Sequence, residues 1–170
     1  MSDRSFCTER TPNHRAMTSV QQFDPKELDT RIGYLFKVVQ TGLRDAMDRA
    51  LEDLELTTPL YAALMVIGQH PDISKADLAR LCFVLPQSMT RMMATMEERG
   101  YVSRSAHPNH GRILKTRLTP SGRRKLAQAS RAIDRVMDRV LDGFTVGERR
   151  QFMGMLARCR DQLAVIAASS

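Results

Sequence analysis

The chain has 170 residues, 42% of them hydrophobic, which is enough to bury a core without disulfides or metals, and no apolar run reaches the roughly 18 residues that a membrane-spanning helix needs. The polar first residues, Pro12 among them, carry no apolar leader, and three widely spaced cysteines (Cys7, Cys82 and Cys159) do not make a disulfide scaffold, so a cytoplasmic protein without a membrane partner is expected. Net charge is +7, but residues 74–125 hold eleven Lys or Arg against three acidic residues, so that stretch alone carries +8 and the remainder −1, a local field suited to a polyanion, most simply a nucleic acid.

Residues 1–23 are rich in Ser, Thr, Arg and Asn, show no period, and read as a mobile arm. From Asp24 the pattern changes. Pro25 suits a first helical turn, and Leu28, Ile32, Phe36, Val39, Leu43 and Met47 follow at helical spacing, which predicts a long amphipathic helix ending before Thr57. An apolar run over 60–67, stopped near Gly68 and Pro71, predicts the next helix. Ser74-Lys75-Ala76-Asp77 has the form of a capping box and opens a short helix holding Leu78 and Leu81. Pro86 starts a third helix with Met89, Met92, Met93 and Met96 on its buried face, closed by Gly100 at the C′ position.

Strands are predicted at 101–105 and 113–118, around a turn with the chemistry of a long hairpin loop, His107-Pro108-Asn109-His110-Gly111. Thr119-Pro120 is an N-cap with proline at N1 for a helix running to Leu141, and Gly143 breaks it. Thr145-Val146-Gly147-Glu148 is a second capping box, opening a last helix with Phe152, Leu156, Cys159, Leu163 and Ile166 on one stripe. The expected fold class is mainly α with a small β-hairpin. A winged helix-turn-helix domain at 56–118 is flanked by helical regions, 24–55 and 119–168, that serve dimerisation.

The second helix of such a unit lies in the major groove, with its N-terminal residues at base edges. Because Met89 belongs to the buried stripe, Gln87, Ser88, Thr90 and Arg91 face outward. Gln suits adenine edges, Arg suits guanine or phosphate, and hydroxyls suit either. On the hairpin, Asn109, His110 and Arg112, with Lys115 on the outgoing strand, complete the candidate DNA-binding set, and an arginine at a hairpin tip can enter a narrow minor groove. Protonation of His107 and His110 near their ordinary pKa of about 6.5 would couple affinity to pH. Those two histidines lack a Cys or carboxylate cluster, so neither a metal nor a cofactor is expected, and no constellation of residues supports catalysis. Cys82 and Cys159 fall on apolar stripes and read as small buried hydrophobes, and the eleven methionines as core filler. The +8 segment is no single basic amphipathic face, which argues against a membrane-surface protein.

An ordered set of pieces over 56–122 resembles the multiple-antibiotic-resistance (MarR) family of bacterial regulators. It runs through Leu56-Thr57, Asp77-Leu78-Ala79, Ser88-Met89-Thr90-Arg91, Met96-Glu97-Glu98-Arg99-Gly100-Tyr101-Val102, Arg104 and Arg112, and closes with Leu118-Thr119-Pro120-Ser121-Gly122. The resemblance implies a triangular homodimer built from the terminal helices and an effector pocket, of unknown residues, between the dimer and DNA-binding regions. The wing departs from the family pattern: His107 and His110 stand at its usual acidic positions, leaving Arg112 without an acidic brace. The expected function is a transcriptional regulator, most simply a repressor, binding a palindromic operator in double-stranded DNA and released by a small-molecule effector. The alternative is a winged-helix protein-interaction adaptor that does not read DNA. The basic hairpin and the outward polar residues of the third short helix speak against it.

Overall fold

A computed structural model describes residues 31–107 and 110–169, and side chains outside 106–114. The arm at 1–23, the residues at 24–30 and Asn109 lie outside the described residues, as do the side chains of His107, His110 and Arg112. The described elements are α1 (Ile32–Leu51) with a 3-10 turn (Glu52–Leu54), α2 (Thr58–Gln69), α3 (Lys75–Leu81), α4 (Pro86–Glu98), β1 (Val102–His107), β2 (His110–Leu118), α5 (Pro120–Val140) and α6 (Val146–Ala168). This is the mainly helical fold with one antiparallel hairpin that the sequence pattern implies.

Local capping chemistry explains most of the boundaries. The Ser74 hydroxyl accepts from the Asp77 N–H and caps α3. The reciprocal half of that box is not made: the Asp77 carboxylate accepts from the Ser74 hydroxyl at 2.7 Å and pairs with Arg80 at 2.9 Å instead. At α6 both halves are present between Thr145 and Glu148, and the Thr145 backbone N–H holds the Glu148 carboxyl below its usual pKa. Thr57 does not cap α2 through its side chain; Asp48 of α1 takes that place, accepting from the Thr58 N–H at 2.7 Å. A carboxylate from one helix thus neutralises the N-terminal dipole of the next and ties the two together. Gly100, at φ +66°, closes α4 in the left-handed region that an L-residue with a side chain enters only with strain.

The strands pair with Val102 opposite Leu118 and extend to His107 and from His110, further than the 101–105 and 113–118 expected. Backbone hydrogen bonding continues past the apolar residues, so the turn chemistry at 107–111 marks only the tip. Ile73 adds an antiparallel bridge to Thr116, so the base of the hairpin is flanked by the segment leading into α3.

The core lies between α2, α3, α4, the hairpin base and α5. Leu64 and Ile67 of α2, Leu78 of α3 and Met89, Met93 and Met96 of α4 are fully buried, and Leu51, Leu118, Ala129 and Ile133 close around them. Each fully buried aliphatic side chain contributes about 1.5–3 kcal/mol. The core-filler reading of the methionines holds for α4 but not for α6, where Met153 and Met155 are exposed. Cys82 is half-buried at the end of α3, where burial pushes its thiol pKa up, whereas Cys159 is exposed in the chain and is not the buried residue its stripe implied. In fact α6 buries none of its residues against the rest of the chain.

Candidate nucleic-acid interface

The N-terminal half of α4 is organised as the sequence pattern requires. Pro86 supplies a fixed φ in the first turn, and Met89 points into the core. Gln87, Ser88, Thr90 and Arg91 are exposed together on the opposite side. The Arg91 guanidinium meets no acidic side chain among the described residues, so its full charge is available to a ligand. Thr90 is less free: its hydroxyl donates to the Pro86 carbonyl at 3.0 Å and accepts from Lys75 Nζ at 3.1 Å. Lys75 comes from the first turn of α3 and was not in the candidate set. The periodicity of neither helix shows it, because the contact depends on how α3 and α4 pack.

Between these helices the turn exposes an apolar corner, with Phe83 95% and Leu85 72% exposed. Phe83 adopts φ +53°, a left-handed conformation that disfavours any residue with a side chain.

Most cations at the wing base already have partners. Arg104 on β1 pairs with Glu97 of α4 at 3.2 Å. On β2, Lys115 and Arg117 stand two residues apart and so share one face of the strand. Both meet Asp72, in the turn between α2 and α3. Arg117 Nε and Nη2 each donate to the Asp72 carboxylate at 2.6 Å, and Lys115 Nζ lies 3.6 Å from Oδ2. The Arg117 guanidinium holds the Asp72 carboxyl down to about 2. Asp72, from the turn before α3, therefore braces Lys115 and Arg117 on β2, while the surroundings of the Arg112 side chain lie outside the described residues. Only the lysine and arginine at alternate strand positions hinted at it, and the Asp72–Arg117 separation hides it from any local motif. Of the remaining candidates, the hairpin backbone places His110 and Arg112 on β2, while Asn109 lies outside the described residues.

Two clefts open beside this surface. One of about 810 Å³ runs between α2, β2 and α5, with Met65, Pro71, Leu118 and Leu126 on its walls and Arg117 and Arg123 beside them. The other, about 390 Å³, lies between α1, α2 and the turn after α3, and joins Leu43, Met47, Pro59 and Phe83 with Arg44. Each offers apolar wall and cation together. Among the described residues no three His, Cys, Asp or Glu side chains gather as metal ligands, and no helix is long and apolar enough to cross a membrane.

A solvent-facing polar helix, a basic hairpin beside it and a core beneath both define a winged helix-turn-helix module, and comparison with known proteins agrees. The MarR family model matches residues 54–113. The HTH-type transcriptional repressor Rv2887 of Mycobacterium tuberculosis is 38% identical over 131 residues, covering 76% of this chain and 94% of that one. The chain belongs to the MarR family of transcriptional regulators. Among solved structures, Rv2887 of M. tuberculosis in complex with salicylic acid superposes with a TM-score of 0.64 at 35% identity, covering 75% of this chain and 95% of that one. The complex of Rv2887 with DNA gives the same TM-score at 32% identity, covering 75% and 96%.

Proposed function

We propose that this chain is a cytoplasmic, sequence-specific repressor that binds a palindromic DNA operator as a homodimer and is released by a small aromatic acid. Its role is regulatory rather than catalytic. The observation that carries this reading is the α4 face: Gln87, Ser88 and Arg91 are exposed at the helix N-terminus, and the arginine meets no acidic side chain among the described residues. In the major groove, this set reads base edges while Asn109, His110 and Arg112 of the wing engage the adjacent backbone and minor groove. The salicylic acid and DNA complexes of the relative support the ligand classes, and the two arginine-bearing clefts are the places where an aromatic carboxylate would meet both apolar wall and cation. The DNA-binding domain is taken as 56–118, between helical dimerisation regions 24–55 and 119–168.

A titration of the promoter fragment of the neighbouring gene, with and without salicylate, tests the function. Saturable binding that outcompetes random duplex and weakens with salicylate is expected. Equal binding to both duplexes, or none, would favour the protein-interaction adaptor.

The dimer is argued from exposed apolar surface. Phe152, Met153, Met155, Leu163 and Val165 all lie exposed on α6, and Ile32, Phe36 and Val39 on the first turns of α1. Apolar area of that extent on terminal helices marks an interaction surface. Light scattering should give about 38 kDa, twice the 19.2 kDa of one chain. A 19.2 kDa species at micromolar concentration would refute the dimer.

A further inference from the structure

The DNA-binding reading leaves an imbalance in the wing's charge unexplained, and the inference here rests on that reading. Lys115 and Arg117 sit at the base of the hairpin, where a protein that grips duplex backbone would be expected to present cations to phosphate. Yet both are turned to one carboxylate, at 3.6 Å and 2.6 Å. The arrangement is built rather than incidental. The Asp72 N–H donates to the Thr116 carbonyl at 3.0 Å, between the two cations in sequence, and Ile73 bridges to Thr116, so the backbone fixes where the carboxylate stands. Asp72 itself adopts φ +70°, a conformation that Asp and Asn tolerate better than other side-chain-bearing residues. Lys115 and Asp72 are about one-quarter exposed and Arg117 about two-thirds, so solvent screens the lysine contact less than the arginine one.

We propose that Asp72 is a specificity-determining residue of the DNA interface: it holds Lys115 and Arg117 on the wing base, so that these cations orient the hairpin instead of gripping the phosphates of any duplex. Lys115 thereby moves from a direct DNA contact to a positioning residue. Phosphate contacts carry no sequence information, so each cation withheld from them lowers affinity for random DNA without touching base readout. Arg91, which has no such partner among the described residues, keeps its charge for the groove. The carboxylate is ionised throughout the range in which DNA binding is measured, since its pKa lies near 2. The clasp is therefore a constant feature and not a pH switch.

The experiment compares wild type with Asp72→Asn and Arg117→Gln on operator and on random duplex, across 50 to 200 mM salt. Asparagine keeps the turn and the N–H to Thr116 but loses the charge. In Asp72→Asn, affinity for random duplex should rise by roughly tenfold at low salt, and its log–log salt slope should steepen by about 0.9 for each cation that reaches a phosphate. Discrimination between operator and random duplex should fall. Adding Arg117→Gln to Asp72→Asn should remove part of the added slope. Arg117→Gln alone should leave the random-duplex slope unchanged, because a captive cation makes no phosphate contact; this arm decides the matter even if Asp72→Asn does not fold. An unchanged slope in folded Asp72→Asn, parallel losses on both duplexes, or a shallower slope in Arg117→Gln alone would overturn the clasp. A wild-type chain that binds neither duplex would overturn the DNA-binding reading itself.

Discussion

Replacing Gly122 by alanine will destabilise the fold by about 3 kcal/mol or more, the upper end for overpacking, and will lower Tm by about 6–12 °C. The reason is a close approach of two backbones. An alanine Cβ built on Gly122 would lie 1.9 Å from the Tyr101 carbonyl oxygen and 2.8 Å from its carbon. Neither atom is the end of a flexible side chain, so the first turn of α5 and the start of β1 must separate. That separation breaks a joint held by several hydrogen bonds. The Thr119 N–H donates to the Tyr101 carbonyl at 3.0 Å, the Thr119 hydroxyl donates to the Gly100 carbonyl at 2.6 Å, and the Gly122 N–H donates to that hydroxyl at 3.0 Å. Lys125 lies over the Tyr101 ring, 5.6 Å from its centroid, and shifts with it. The control is Gly42→Ala in α1, where an added Cβ meets nothing within 4 Å. There the change should stabilise by about 0.5–1 kcal/mol, the ordinary helix gain of alanine over glycine. Thermal unfolding of both variants checks the pair, and a Gly122→Ala variant as stable as wild type would show that the joint yields without cost.

That joint also shows what a sequence can and cannot disclose. The string Leu118-Thr119-Pro120-Ser121-Gly122 was readable as a helix start, because an N-cap hydroxyl and a proline in the first turn act within four residues. Local rules of this kind placed α3, α4, α5 and α6, and the methionine period correctly put Met89, Met93 and Met96 inward. What stayed hidden depends on contacts across the fold. Asp48 capping α2 from α1, Asp72 holding β2 and Lys75 touching Thr90 all join segments that no spacing rule connects. The carboxylate that reaches β2 from the turn before α3 was equally hidden: it pairs with Lys115 and Arg117, whereas the side chain of Arg112, which the hairpin sequence leaves without an acid beside it, lies outside the described residues. The stripe on α6 was legible as apolar, but its pattern could not say whether it faces this chain's own core or a second copy. Its exposure in the single chain favours the second copy.

Arg91→Ala should weaken operator binding by about 1–3 kcal/mol, or roughly 5- to 150-fold, and weaken random-duplex binding much less. Arg91 sits four residues after Gln87 and therefore on the same side of α4, over the end of the helix that the proposed reading puts in the major groove. On the proposed reading, its neighbours leave it the dominant contact of this face. The Thr90 hydroxyl has its one proton committed to the Pro86 carbonyl and one lone pair to Lys75, so it can donate to a base edge only by giving up a made bond. Gln87 and Ser88 are neutral and can exchange hydrogen bonds with water at little net gain. Only Arg91 brings a full charge and a two-pronged donor that no carboxylate in the described chain engages. Lysine at this position separates the two ways the arginine could act. Arg91→Lys keeps the charge but not the bidentate geometry, so it should restore random-duplex affinity and the salt slope while leaving the operator preference lost. The fold should be indifferent to both changes, since the side chain is exposed and the helix is anchored through Met89 and Met93. Anisotropy titrations on operator and random duplex, with Tm measured alongside, check these outcomes. Equal losses on both duplexes, fully rescued by lysine, would mean that Arg91 touches phosphate alone and that base readout lies with Gln87 and Ser88.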